Sequence, residues 1–459
     1  MTNSNKMATM PISSLFFKMS VPAVFSMVIQ ALYNIVDTIY VAQISEDALF
    51  TMGLVFPLQM IALSIALGGS VGVSTLISRK LGEKNKTQAD KIAATGIIIT
   101  LFHMIIVFII GIYFSRSFLR RFTDTPVIIE GGYDYRSVVL GASFGLFGSV
   151  FFEKIQQSQG NTVVPMIAML IGAITNIILD PVFIFGYFGI PAMGIKGAAI
   201  ATVIGQIFGF LYILQFSLFK KHEIDISFKG FKLEISNIKE IYKIGLPVTV
   251  MNMIGSIATT ILNSILVPIS TLGVTALGIY FKLQSFIFMP VFGFNQGALP
   301  ILSYNFGAKN EKRFKDTIKV YILSSLVIMS LGTLAMWGFT NQLLFLFKAS
   351  DELISVGQYT LRFISISFPF AALTIASITI LQSLGKAFSS LMISILRQLV
   401  FLVPFSLLLS KWLGANGVWL SFPIAEVLVL IIYLPKVVKM INQGFKDSNP
   451  IKNDIDIVF

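Results

Sequence analysis

Apolar stretches long enough to cross a bilayer alternate with short polar connections along nearly the whole chain. Crossing the hydrocarbon layer as a helix takes about 20 apolar residues. The pattern predicts twelve spans, at about 14–41, 51–77, 92–115, 134–157, 163–186, 194–218, 240–268, 274–302, 317–346, 356–383, 388–411 and 415–436. Several carry proline, among them Pro22, Pro57, Pro247, Pro369 and Pro404. A helix bundle tolerates them when neighbouring groups re-satisfy the freed backbone.

The pattern repeats itself. Residues 22–85 set against 247–310, without a gap, share Pro22/Pro247, Gly53/Gly278, Phe56/Phe281, Leu58/Leu283, Gln59/Gln284, Gly68/Gly293, Gly72/Gly297, Ser78/Ser303 and Gly82/Gly307. The same offset of 225 pairs QSQG at 157–160 with QSLG at 382–385. Six spans per half is an even number, so both halves run in the same direction. The expected fold is all-α and integral to the membrane, with twelve transmembrane helices in two six-helix lobes. A pseudo-two-fold axis along the membrane normal would relate the lobes, the parallel-repeat plan of secondary transporters. The expected domains are an N-terminal six-helix lobe at 1–218, a cytoplasmic linker at 219–238, a C-terminal six-helix lobe at 239–441 and a cytoplasmic tail at 442–459. The Gly68-xxx-Gly72 and Gly293-xxx-Gly297 pairs read as close-packing positions, since small residues four apart let helices approach.

Composition supports this picture. The chain is 55% hydrophobic and 12% charged, about half the charge of a soluble domain. A net charge of +12 would suggest nucleic acid in a soluble protein. Here it follows from the Lys and Arg that collect in cytoplasmic loops, and no nucleic-acid partner is expected. The bases cluster at 79–91, 220–243, 309–319 and Lys436 to Lys452. All lie on the side of the even-to-odd connections, which predicts a multi-pass protein of the plasma membrane with both termini cytoplasmic. The loop 116–136 dissents, with Arg116, Arg120, Arg121 and Arg136. The absence of cysteine excludes disulfides and thiolate chemistry. The first apolar run is too long for a signal-peptide core and lacks a cleavage site. No Walker A, HExxH or GxSxG motif occurs, so neither ATP hydrolysis nor other enzymatic activity is expected, and no cofactor.

An ionisable group inside a span is costly and marks a functional site by default. The candidates are Asp37, His103, Glu153, Asp180, Lys282, Arg397 and Glu426. Asn34 and Asp37 are three apart, and Asn176 and Asp180 four apart, so each pair shares a helix face. With Thr202 of span 6 they fall at similar depth in the first lobe. Oxygen-only donors suit Na⁺-like ions rather than transition metals. Close carboxylates also cannot both ionise cheaply, which poises one to hold a proton. From spacing alone a second reading stands: Asp37 caps or pairs near an interface, and Asp180 ends span 5 before Pro181. Glu153 beside Lys154 reads as a local ion pair, and His103 as a hydrogen-bonded packing residue. Gln59, Lys282, Gln284, Met251 and Met289 are candidates for a substrate cavity, with snorkelling of Lys282 and packing of the methionines as alternatives. The offset pairs Asp37 with Leu262 and Asp180 with Phe405, so the second lobe does not duplicate the acids there.

KMSVPAVFSMVIQALYNIVDTIYVAQ (18–43), SRKLGEKN (78–85), QSQGNTVVPM (157–166), TNIILDPVFIF (175–185), MGIKGAAIATVIGQ (193–206), SYNFGAKN (303–310) and QSLG (382–385) form an ordered set over essentially the whole chain. That set resembles the multidrug and toxic compound extrusion (MATE) transporters, nearest to their bacterial multidrug branch. The resemblance implies secondary active efflux of small amphipathic, mostly cationic compounds by antiport with H⁺ or Na⁺ through alternating access, in a monomer. It implies a coupling site at Asp37, Asn176, Asp180 and Thr202, supported by Asn34, with Pro22 where span 1 bends. No metal is implied beyond Na⁺ at that site. A flippase for lipid-linked sugars, of the same broad superfamily, is the alternative; an integral-membrane enzyme is a more distant one.

Overall fold

The structure, a computed structural model, describes residues 4–113, 120, 123–219, 223–226, 228 and 231–446. All regular structure in them is helical. Among the described residues, ten single helices are long and apolar enough to cross a bilayer. They are span 1 (Ile12–Ala42), span 2 (Glu46–Gly82), span 3 (Lys86–Gly111), span 5 (Val163–Phe185), span 6 (Gly194–Phe219), span 7 (Ile235–Leu266), span 8 (Thr271–Gly307), span 9 (Glu311–Gly338), span 11 (Ala387–Leu413) and span 12 (Ala415–Lys446). Two helix pairs supply the others. Span 4 joins Pro126–Gly141 to Phe144–Ser158 with a bend of 43°, and span 10 joins Asp351–Ser365 to Phe368–Ser383 with a bend of 44°. This is the expected twelve-span, two-lobe fold.

The repeated sequence makes repeated structure. Lys84 and Lys309, at φ 57° and 55°, each turn the chain through the left-handed region after spans 2 and 8. Asn85 and Asn310 then cap the next helices. Asn85 Oδ1 accepts from the Gln88 N–H at 3.1 Å, and Asn310 Oδ1 accepts from the Arg313 N–H at 3.1 Å. Such caps satisfy donors that the first helical turn leaves open. Span 4 starts at Pro126, where a missing N–H costs nothing, and not at 134 as hydropathy suggested. Arg136, counted above as a loop base, therefore sits within a helix and is buried. Arg120 is exposed; Arg116 and Arg121 lie outside the described residues, as do Lys452 and most of the expected tail.

Span 11 contains a π-helical stretch, Leu396–Leu402. Pro404 follows, and a helical proline clashes with the carbonyl four residues back. Widening the preceding turns accommodates it.

The chain divides into two compact units, and the division crosses the linker in both directions. One unit contains residues 25–80 and 85–249, the other 6–24, 81–84 and the chain from 250 onward. In the first, the glycines of span 2 meet the beginning of span 7. A Cβ at Gly68 would collide with the Thr249 hydroxyl and come within 2.6 Å of the Gly245 carbonyl; one at Gly72 would lie 2.5 Å from the Ile241 carbonyl. In the second, the glycines of span 8 meet the beginning of span 1. A Cβ at Gly293 would collide with Val24, and one at Gly297 with the Ser20 hydroxyl. The second unit's core gathers Trp419, Tyr280, Phe368, Phe288, Met329 and Leu262.

Candidate functional site

Asp37, Asn176, Asp180 and Thr202 are all buried, with Asp37 7% and Asp180 0% exposed. All four belong to the first unit. Span 5 runs on through Pro181 to Phe185, so Asp180 is not its end. One helical turn separates Asn176 from Asp180, and the amide uses it: Nδ2 donates to Asp180 Oδ1 at 3.1 Å and to the Thr202 hydroxyl at 3.4 Å. The small residues Gly172 and Gly205 let spans 5 and 6 close up there, each glycine facing the other's carbonyl. That approach brings Thr202 to the amide.

Three oxygens remain without a hydrogen-bond partner at this place: Asp37 Oδ1, Asn176 Oδ1 and Asp180 Oδ2. A buried polar atom left unpaired is costly, and here the three are all acceptors. Asp37 and Asp180 lie within Coulombic reach of each other. Such a set fits a proton or a hard monovalent cation, which would satisfy the oxygens and cancel the repulsion. Among the described residues no group of three or more His, Cys, Asp or Glu could hold a metal ion, in keeping with a site that has only two carboxylates.

Two tyrosines escaped the sequence reading. Tyr33 and Tyr135 both lie within Coulombic reach of Asp37 and Asp180. Tyr33 precedes Asp37 by four residues, one helical turn, and that spacing was a usable signal. Tyr135 stands on the first arm of span 4, with no local signal to mark it. Its hydroxyl accepts from Gln59 Nε2 at 3.2 Å, so Gln59 is tied to the acid cluster's neighbourhood. Asn34 is not brought in: its side chain is exposed, since a three-residue step leaves two side chains about 60° apart around a helix. Pro22 falls in the other unit, three residues before span 1 passes from one unit to the next.

His103 pairs with the Tyr242 hydroxyl at 2.8 Å. Lys154 donates to Gln157 Oε1 at 2.7 Å, with Glu153 within Coulombic reach. In the second unit, Lys282 is exposed, its ammonium 5.8 Å from the centre of the Phe347 ring, while Gln284, Met251 and Met289 are half-buried. Arg397 and Glu426, on spans 11 and 12, form an ion pair at 2.8 Å, and the Thr374 hydroxyl donates to the other Glu426 oxygen at 2.8 Å.

A family model described as MatE matches residues 22–182 and again 247–408. The two matches begin 225 residues apart, the offset read from the sequence, and together cover more than half of the chain. The chain belongs to the MATE family. Members of this family are transporters and not enzymes. An FAD transporter of Shewanella oneidensis is 25% identical over 435 residues, 94% of this chain and 95% of that protein. The multidrug export protein MepA of Staphylococcus aureus is 26% identical over 432 residues, 92% of this chain and 94% of that one. An outward-facing structure of a multidrug resistance MATE transporter of the MOP superfamily superposes with a TM-score of 0.90 at 24% identity, covering 96% of this chain and 98% of the other. The MATE fold therefore extends over nearly all of this chain.

Proposed function

We propose that this MATE protein is a secondary active multidrug exporter of the plasma membrane. It moves small amphipathic compounds, mostly cations, outward by antiport with H⁺ or Na⁺ through alternating access, with both termini cytoplasmic. The observation that carries the coupling assignment is the trio of buried, unpartnered oxygens on Asp37, Asn176 and Asp180. The multidrug assignment rests on likeness to MepA over nearly the full length of both chains.

The cycle follows from charge. With both carboxylates ionised, the cluster holds uncompensated negative charge away from water, an arrangement that favours uptake of a cation. A proton or Na⁺ taken from outside neutralises it, and its loss to the cytoplasm restores the charge. If ion and drug favour opposite-facing states, each weakens the other's binding by the same factor. Span 1 carries Asp37 and is shared between the two units, so it is the element best situated to report the ion's presence.

The test is efflux of a fluorescent cation such as ethidium from proteoliposomes, with proton and sodium gradients imposed separately. Uphill movement driven by at least one gradient, and lost in Asp37→Asn, is the expected result. Gradient-driven transport that persists in Asp37→Asn would remove the cluster from the coupling. The sign of the cargo's charge is a separate matter, because one relative is named for FAD, a pyrophosphate.

A further inference from the structure

The second unit carries a buried charge arrangement that the coupling cycle does not use. Glu426 is 4% exposed. Its two oxygens are held from two sides, by Arg397 Nε at 2.8 Å and by the Thr374 hydroxyl at 2.8 Å. Arg397 is different: 23% of its side chain is exposed, and only Nε has a protein partner among the described residues. The guanidinium is thus clamped on one edge, with its two terminal nitrogens left to something else.

Three further observations bear on what that is. The Tyr280 hydroxyl is fully buried without a hydrogen-bond partner, within Coulombic reach of both Arg397 and Glu426. Arg397 sits in the π-helical turns of Leu396–Leu402, an irregularity frequent at functional sites. Half-buried Phe401 and Phe405 follow on the same span, ring centres 6.5 Å apart, and offer apolar surface to a flat ring system.

We infer that Arg397 is the anchor of an anion subsite, which takes the carboxylate or phosphate of an aromatic amphiphile on its terminal nitrogens. This goes beyond the efflux of cations proposed above and does not depend on the coupling site. A planar guanidinium with two parallel N–H groups matches a two-oxygen anion, which a lysine would not. Glu426 and Thr374 are positioning residues: Thr374 holds the carboxylate of Glu426, which holds Nε and so fixes the direction of the fork. Depth excludes a lipid headgroup as the ligand. Arg397 is the eleventh residue of span 11, about 15 Å along the helix from its start and about 24 Å from its end, whereas headgroups lie outside a hydrocarbon core about 30 Å thick.

The test compares flavin mononucleotide with riboflavin, which share one ring system and differ by a phosphate. Binding is read by flavin fluorescence anisotropy on the full chain in phosphatidylcholine nanodiscs. The mononucleotide should bind more tightly than riboflavin. Its advantage should grow about tenfold in Glu426→Gln, which keeps an acceptor for Nε and removes the competing charge. In the double variant Arg397→Gln/Glu426→Gln, which leaves no buried charge unpaired, the advantage should vanish while riboflavin binding is unchanged. A melting curve on each variant separates misfolding from lost recognition. Equal binding of the two flavins by wild type and Glu426→Gln, no mononucleotide binding by either, or an advantage that survives the double variant would each overturn the proposal. So would loss of the advantage when phosphatidylglycerol is added to the discs, since the subsite would then be a lipid site.

Discussion

The two units share a fold and a repeat yet treat buried charge in opposite ways. In the first, two carboxylates stand within reach of each other, and three oxygens at their site have no partner. In the second, the repeat-equivalent positions are Leu262, fully in the core, and Phe405, paired with Phe401. Among the described residues, that unit's buried acid is Glu426, which stands elsewhere and has a partner on each oxygen. A carboxylate held from two sides has little need of an ion from solution; an open pair does. The comparison teaches that the scaffold leaves charge free to move between positions; under the coupling proposed above, what matters is which acid lacks a partner rather than which lobe contains one.

The largest expected effect breaks the comparison directly. Asp37→Asn should reduce uphill ethidium efflux to the level of empty liposomes with the protein still folded, whereas Glu426→Gln should retain it; equal loss in both would erase the distinction between the units. Next in size, Arg397→Ala leaves Glu426 buried beside an empty place and should destabilise the second unit by about 3–5 kcal/mol. Arg397→Gln/Glu426→Gln should recover most of that, read by thermal unfolding in detergent. A smaller effect is expected from Gly68→Ala and Gly297→Ala. Both force a Cβ into a neighbour, backbone included, and each should cost about 1–3 kcal/mol if the two interfaces are equivalent. A cost confined to one would show that the repeat's packing is unequal.

The smallest concerns pH. Lys91 donates to Glu234 at 2.7 Å at the cytoplasm-facing start of span 7 under the orientation proposed above, and that contact holds the Glu234 carboxyl below the usual glutamate value. Its contribution is complete above the unfolded value of about 4.3. It is lost as pH falls through the lower, folded value. Lys91→Gln should remove that slight acid sensitivity from the melting temperature and leave neutral-pH transport unaltered.

Much of this was legible in the sequence. Periodicity of 3.6 put Asn176 over Asp180 by helix geometry alone, and the orientation read from the basic loops put Thr202 at a similar depth. The repeat was legible because 22–85 and 247–310 align at one offset without a gap, through to GEKN and GAKN. What escaped depends on contacts between distant segments. Nothing near Tyr135 announces its approach to Asp37. The Arg397–Glu426 pair joins two spans whose relative rotation hydropathy does not determine. Hydropathy also missed the breaks in spans 4 and 10, because both arms of each bent pair are apolar. Arg136 was counted with the loop bases although span 4 was drawn from 134, because hydropathy did not show that the helix begins at Pro126.

The reciprocal placement of the opening stretches of spans 1 and 7 has a consequence for the molecule's assembly. Severing the chain inside 219–238 would not release two self-sufficient halves. The fragment up to 218 would lack Ile241–Thr249 to fill the groove at Gly68 and Gly72, and the other would lack Ser20–Val24 to fill its own. Each fragment would be a donor and an acceptor of one helical arm, as in a domain-swapped dimer. Co-produced halves should find each other where either alone is degraded.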